Sequence, residues 1–63
     1  MGNYNKINGF QNTIVGHHNT GSGNFNYIEG SQNVGNGEKN IIIGNQNKAT
    51  GDGNILIGIG NTI

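Results

Sequence analysis

Two adjacent histidines, His17 and His18, are the residues of this 63-residue chain whose type most directly suggests metal binding. A protein metal site normally needs three or four ligands that converge on one point. No carboxylate recurs beside the pair, because the three acidic residues stand apart at Glu29, Glu38 and Asp52. A turn that leaves both imidazoles in water fits this pattern better, and the sequence predicts no bound metal.

Three glycine-rich segments have spacings that are known from ligand-binding loops. GDGN (51–54) is similar to part of a calcium-binding nonapeptide repeat, but it has one Asp and a period of seven. GSGNFN (21–26) and GNGEKN (35–40) lack the third Gly and the following helix of a phosphate-binding loop. We interpret all three as turns and predict no cofactor.

Catalysis has no arrangement of residues to support it. The chain has no Cys, no Ser–His–Asp order and no two carboxylates on a shared face, so the prediction is that the protein is not an enzyme. Sugar stacking stays an alternative, because aromatic rings offer flat apolar faces. The aromatic residues are Tyr4, Phe10, Phe25 and Tyr27.

Composition narrows the classes of partner. The net charge is zero and only 10% of residues are charged, which predicts no nucleic-acid partner. The longest apolar runs have three residues, so we expect no membrane insertion by this segment. We expect no signal peptide before the repeats.

A strict seven-residue period organises the chain from Gly2 to Ile63. Gly stands at 2, 9, 16, 23, 30, 37, 44, 51 and 58, and Asn follows each of them three residues later. Nine copies of G-x-x-N-x-x-x, the last one residue short, predict a single repeat domain over residues 1–63.

We number each heptad from its Gly. Positions four to seven predict a short strand, in which positions four and six face the interior and positions five and seven face outward. Positions one to three predict the turn, for which Gly supplies backbone freedom. Large and small residues alternate at position six, so two heptads form one coil. The predicted fold is all-β: a parallel β-solenoid with 14 residues and two short strands per coil, and about 4.5 coils.

Position six predicts the solenoid core, in which large residues of one strand face small residues of the other. The predicted core residues are Ile7, Ile14, Ile28, Ile42, Ala49, Leu56 and Ile63.

Position four predicts an Asn ladder, because stacked amides can hydrogen-bond to each other along the solenoid axis and to the backbone of the turns. Its members are Asn5, Asn12, Asn19, Asn26, Asn33, Asn40, Asn47, Asn54 and Asn61.

The outward positions of alternate heptads become apolar towards the C-terminus. Large apolar residues on a surface usually mark a contact, so these positions predict a self-association surface, here called the Ile wall. It consists of Val15, Tyr27, Ile41, Ile43, Ile55 and Ile57, with Glu29 interrupting it.

The stretches NTIVG (12–16), NIIIG (40–44) and NILIG (54–58), each followed by a more polar heptad, resemble the head repeats of YadA-like trimeric autotransporter adhesins. The resemblance covers Gly2 to Ile63, although Asn stands where those heads more often have Ser or Ala. It implies a left-handed β-roll, three chains packed by their apolar walls, and a cell-surface or extracellular role in attachment to a host or matrix surface.

Three short segments, IVGHHN (14–19), IIGNQN (42–47) and LIGIGN (56–61), also resemble the core of RIP homotypic interaction motifs, without the usual Gln. Such motifs assemble as signalling amyloids, and Asn ladders without Pro favour cross-β stacking. We therefore predict a structural, self-associating surface module, trimeric and adhesin-head-like. The alternative is a filament-forming functional amyloid built from the same heptads.

Overall fold

Parallel β-strands make up every regular element that the computed structural model describes over residues 2–63. In chain order the strands are β1 (Gly2–Asn3), β2 (Lys6–Phe10), β3 (Thr13–His17), β4 (Thr20–Asn24), β5 (Tyr27–Ser31), β6 (Val34–Glu38), β7 (Ile41–Asn45), β8 (Lys48–Thr50) and β9 (Ile55–Ile59).

Successive strands alternate between two sheets, so the chain winds as a β-solenoid of about four turns. The first sheet has the order β1-β3-β5-β7-β9, and the second has the order β2-β4-β6-β8. Every pairing is parallel and joins residues 14 apart, as in Ile14↔Ile28 and Ile42↔Leu56. The 14-residue coil and the parallel β-solenoid are thus confirmed.

The strands occupy different heptad positions from those predicted. They generally run from position five through the next Gly to position two, as in Thr13–His17, and the chain bends at positions three and four. The prediction that Gly opens the turn is wrong. Gly16 lies within β3 with φ +128°, and a Cβ there would lie 1.8 Å from the Gly30 carbonyl oxygen. Gly is required because the coils approach each other closely at this position.

The core lies between the two sheets and is one side chain thick. Large residues of the first sheet face Gly21, Gly35 and Ala49 of the second. A Cβ on Gly35 would approach the Cδ1 atoms of Ile28 and Ile42 at 3.0 and 3.2 Å, so the small residues are set by the volume of the Ile side chains. The buried apolar residues are Ile14, Ile28, Ile42, Ala49 and Leu56.

Two predicted core residues, Ile7 and Ile63, are exposed. Their solvent-exposed fractions are 51% and 57%. Each occupies position six in an outermost half-coil of the described stack, where no further strand of residues 2–63 covers its inner face. The prediction that they belong to the closed core is therefore wrong for this single chain.

Candidate functional site: the Asn columns and the Ile wall

Two columns of Asn side chains line the interior where the chain bends between the sheets. One column precedes the strands of the second sheet, and the other precedes the strands of the first. The buried members are Asn19, Asn26, Asn33, Asn40 and Asn47. Buried amides of this kind are costly unless their donors and acceptors are all used.

Asn33 shows how the donors and acceptors of a buried amide are satisfied. Its Oδ1 accepts the backbone N–H of Asn47 at 3.0 Å, and its Nδ2 donates to the Gly44 carbonyl at 2.9 Å. A second, longer bond of 3.3 Å runs from Nδ2 to the carbonyl of Glu29. The first two bonds go to the two ends of the Gly44–Asn47 segment in the next coil, which runs from the end of β7 into the bend. We call this two-ended contact the Asn clamp.

The Asn clamp recurs at seven of the nine Asn residues that occupy position four. The Nδ2–carbonyl distances are 2.8–2.9 Å and the N–H–Oδ1 distances are 2.9–3.1 Å. The clamp requires an amide side chain, which donates one hydrogen bond and accepts the other. Asp has no N–H to donate to the Gly carbonyl, and Ser cannot reach both the Gly carbonyl and the Asn N–H. Each coil therefore fixes the turn of the coil that follows it.

The predicted Asn ladder differs from the structure in the hydrogen-bond partners of the amides. Within residues 2–63, amide-to-amide bonds are found in the column that precedes the first sheet, from Asn26 to Asn12 and from Asn40 to Asn26, both at 3.1 Å. Elsewhere the amides bond to backbone. The expected stacking of residues 14 apart is present, but the backbone of the next turn is the main partner of each side chain.

The Ile wall is the outer face of the first sheet. Ile55 and Ile57 are 64% and 68% exposed, Ile41 is 38% exposed, and Ile43 lies between neighbouring strands with less exposure. Val15 and Tyr27 extend the wall towards the N-terminus. The matching positions of the second sheet hold mostly polar residues, so the two outer faces differ in chemistry although their backbones match.

Known proteins do not identify the chain. No protein-family model, no curated protein and no solved structure matches it.

Glu29 lies within the Ile wall, in register between Val15 and Ile43. The Tyr27 hydroxyl donates to Glu29 Oε1 at 2.6 Å. This hydrogen bond and the charge of the carboxylate raise the pKa of the Tyr27 phenol above its ordinary value. The hydrogen bond keeps the Glu29 carboxylate next to Tyr27, so the Ile wall has a polar site at this point.

Tyr4, His18 and Phe25 lie at the corners of the solenoid, and Phe10 lies at the end of β2 beside a corner. Tyr4 stacks on His18 with ring centroids 5.0 Å apart, and Phe10 meets Phe25 edge to face at 6.3 Å. The ring pairs contact each other along the corners. Sugar binding by these rings stays untested.

Position three holds a backbone feature that the sequence analysis missed. Seven non-Gly residues there have φ of 55–59°, a left-handed conformation that disfavours side chains with a Cβ. Gly53 and Gly60 fill the same position with φ of 69° and 72°. In the sequence, Gly at position three of the last two heptads was the one feature that indicated a positive φ there. The seven residues are Tyr4, Gln11, His18, Phe25, Gln32, Lys39 and Gln46.

The ionisable residues do not converge. Glu38 and Asp52 are neighbours along one edge of the solenoid, where the Glu38 backbone N–H donates to Asp52 Oδ1 at 3.1 Å. The expectation that no two carboxylates share a face is therefore wrong for this pair, because both residues stand at position two and are 14 residues apart. Within residues 2–63, no group of three or more His, Cys, Asp and Glu residues is placed to hold a metal ion, and no pocket opens in the surface. No helix among these residues has the length and hydrophobicity to cross a membrane.

Proposed function

We propose that the chain is a structural, self-associating module whose Ile wall packs against the same wall of other copies in a trimer. The observation that carries the proposal is the exposure of Ile41, Ile55 and Ile57 on one regular sheet face. Fully burying one such side chain contributes roughly 1.5–3 kcal/mol. For a chain of this size, that contribution is a large part of the total stability.

A second copy is the occupant that fits the wall best. The apolar side chains are spaced by the coil repeat of ~4.8 Å, and another copy presents side chains at the same spacing. Rows of Ile from two copies can therefore interdigitate along the C-terminal coils, where Ile41, Ile43, Ile55 and Ile57 lie. The net charge of zero also brings no overall repulsion between copies.

Attachment or display at a cell surface is the biological role proposed for this trimer. The resemblance to adhesin heads supports it, because their repeats have the same Gly period and paired apolar and polar heptads. The fold supports the same role, since a rigid solenoid without a pocket offers its faces for contact. A host or matrix surface is the external partner proposed for the faces outside the trimer.

Sedimentation equilibrium of the Ile41→Ser/Ile43→Ser variant tests the trimer. The wild-type chain is expected at three times its mass of 6.6 kDa, and the variant is expected to be a monomer or unfolded. The matched control is Val34→Ser/Asn36→Ser, which changes the same heptad positions on the second sheet. A wild-type monomer, or a variant that keeps the wild-type mass, would contradict the proposal.

A filament-forming, amyloid-like assembly is the second candidate. The Asn clamp favours it, because each clamp acts on the following coil and has no built-in limit on the number of coils. Negative-stain microscopy separates the two candidates. Discrete particles support the trimer, whereas unlimited fibres with a 4.8 Å axial reflection support the filament.

A further inference from the structure

One ionisable side chain lies among the apolar residues of the Ile wall. Glu29 pairs with Val15 of β3 on one side and with Ile43 of β7 on the other. Directly opposite residues of neighbouring strands are one strand spacing of ~4.8 Å apart, so aliphatic side chains border the Glu29 carboxylate along the solenoid axis. Any surface that covers both Val15 and Ile43 must therefore also cover this carboxylate.

The strands packed around Glu29 offer no positive side chain to compensate its charge. Strands β3, β4, β5, β6 and β7 contain no Lys or Arg. Their other titratable residues are His17 at the end of β3, Tyr27 in β5 and Glu38 at the end of β6. His17 pairs with Ser31, and Glu38 belongs to the second sheet. Tyr27 is therefore the titratable neighbour that acts directly on the carboxylate.

Tyr27 supplies the carboxylate with one short hydrogen bond, from its hydroxyl to Glu29 Oε1 at 2.6 Å. In the free chain both side chains are exposed, so water satisfies the remaining acceptor sites of the carboxylate. An apolar surface laid over the Ile wall removes that water, and one hydroxyl is too few partners for a buried negative charge. A protonated carboxyl carries no charge, and its carbonyl oxygen still accepts the Tyr27 O–H.

We infer that Glu29 takes up a proton from solvent when the Ile wall of one copy packs against another, so that acid strengthens self-association. This inference rests on the proposed trimer and adds its regulation. Three copies in a closed ring are related by rotation alone, which brings their Glu29 residues to the same level of the axis, where ionised carboxylates repel one another. Protonation lets the contact extend from Ile41 and Ile43 over Tyr27 and Val15.

The direction of the pH dependence follows from this proton uptake. Because the assembled state binds more protons at Glu29 than the free chain does, the association constant rises as the pH falls. The rise is about tenfold per pH unit for each carboxyl that gains a proton on assembly. It levels off at acidic pH, where the free chain already carries the proton.

Sedimentation equilibrium of wild type and Glu29→Gln from about pH 8 to about pH 4 tests the proton uptake. The Gln side chain keeps an acceptor for the Tyr27 hydroxyl but has no proton to gain. Glu29→Gln is expected to associate at neutral pH as tightly as wild type does in acid, and to lose the pH slope. The matched controls are Glu38→Gln in the second sheet and His17→Gln at the end of β3, which are both expected to keep the wild-type slope.

Two results would overturn the inference and leave the trimer standing. One is a wild-type trimer whose association constant does not change with pH, and the other is a Glu29→Gln variant with the wild-type slope. Loss of the slope in His17→Gln would also overturn it, because the proton would then be taken up by the imidazole. A wild-type chain that stays monomeric at every pH would overturn the trimer and the proton uptake together.

Discussion

The first sheet presents Ile41, Ile55 and Ile57 outward, whereas the second presents Thr20, Ser22 and Asn36, although both sheets pair their strands in parallel with residues 14 apart. The inner faces are also opposite, with large residues in the first sheet and Gly or Ala in the second. What the sheets share is Gly at position one and Asn at position four. The shared residues hold the coil, and the others are therefore free to give each face its own chemistry.

The largest expected effect comes from replacing Gly at position one, and it should be equal in the two sheets. Gly30→Ala in the first sheet and Gly23→Ala in the second each place a Cβ 1.8–2.0 Å from a carbonyl oxygen of the next coil. Because the whole domain is worth roughly 3–9 kcal/mol at this length, either clash is expected to abolish folding. Far-UV circular dichroism with thermal melting measures the loss.

Gly58→Ala is the control for that pair. Its φ of +131° strains a side chain equally, but the nearest atom is Asn61 Nδ2 at 3.1 Å, which can move. It should melt lower than wild type and still fold. If Gly23→Ala folded while Gly30→Ala did not, the two sheets would not share one framework.

The next effect concerns the two Asn columns, one for each sheet. Asn33→Ala and Asn26→Ala each leave a half-buried Gly carbonyl and a buried Asn N–H of the next coil without their clamp. Each such buried group costs about 1–3 kcal/mol. Urea unfolding should therefore show similar large losses for both variants, while the exposed Asn8→Ala stays near wild type.

Asn33→Asp sharpens the test. It keeps the shape and the acceptor for the Asn47 N–H, but it has no donor for the Gly44 carbonyl. It should be destabilised at neutral pH, and a stability equal to that of wild type would show that the carbonyl bond contributes nothing.

Much of this framework was predictable because it depends on one period. Gly and Asn at fixed positions, with Ile14, Ile28 and Ile42 at position six, specify the coil length, the parallel register and the buried column. The exposure of Ile7 and Ile63 was not predictable from the pattern, since the pattern assigns position six of every heptad to the interior. Only the three-dimensional structure shows which heptads have a neighbouring coil on both sides.

The backbone details were less accessible. Position three carries Tyr, Gln, His, Phe and Lys, and such side chains do not indicate a positive φ. The partner of each amide was also ambiguous, because Asn can bond equally well to an amide or to backbone. Geometry between coils decides this, and a single sequence does not show it.

A smaller effect tests the large-against-small difference between the inner faces. Gly35→Ala brings a methyl within 3.0 Å of Ile28 Cδ1 and 3.2 Å of Ile42 Cδ1, at the ends of flexible side chains. Overpacking typically costs about 1–3 kcal/mol, and the low end is expected here because Ala49 occupies the equivalent site. Adding Ile42→Val should restore part of the loss in urea unfolding. No recovery would mean that the two faces are not coupled through volume.

The smallest effect compares the corners that lead into each sheet. Gln11 precedes a strand of the first sheet and Gln32 precedes one of the second, with φ of 55° and 57°. Gln→Gly at either site removes the left-handed penalty of a Cβ, which is about 1 kcal/mol, but it also frees the unfolded chain. These opposing effects leave a gain of a few tenths of a kcal/mol at Gln11. Gln32 should gain less, because its Oε1 accepts a 3.0 Å bond from Gln46 that Gly cannot replace. Thermal melting of Gln11→Gly, Gln32→Gly and Gln11→Ala measures the difference. A larger gain in stability at Gln32 would show that the hydrogen bond between the Gln46 and Gln32 side chains contributes nothing to stability.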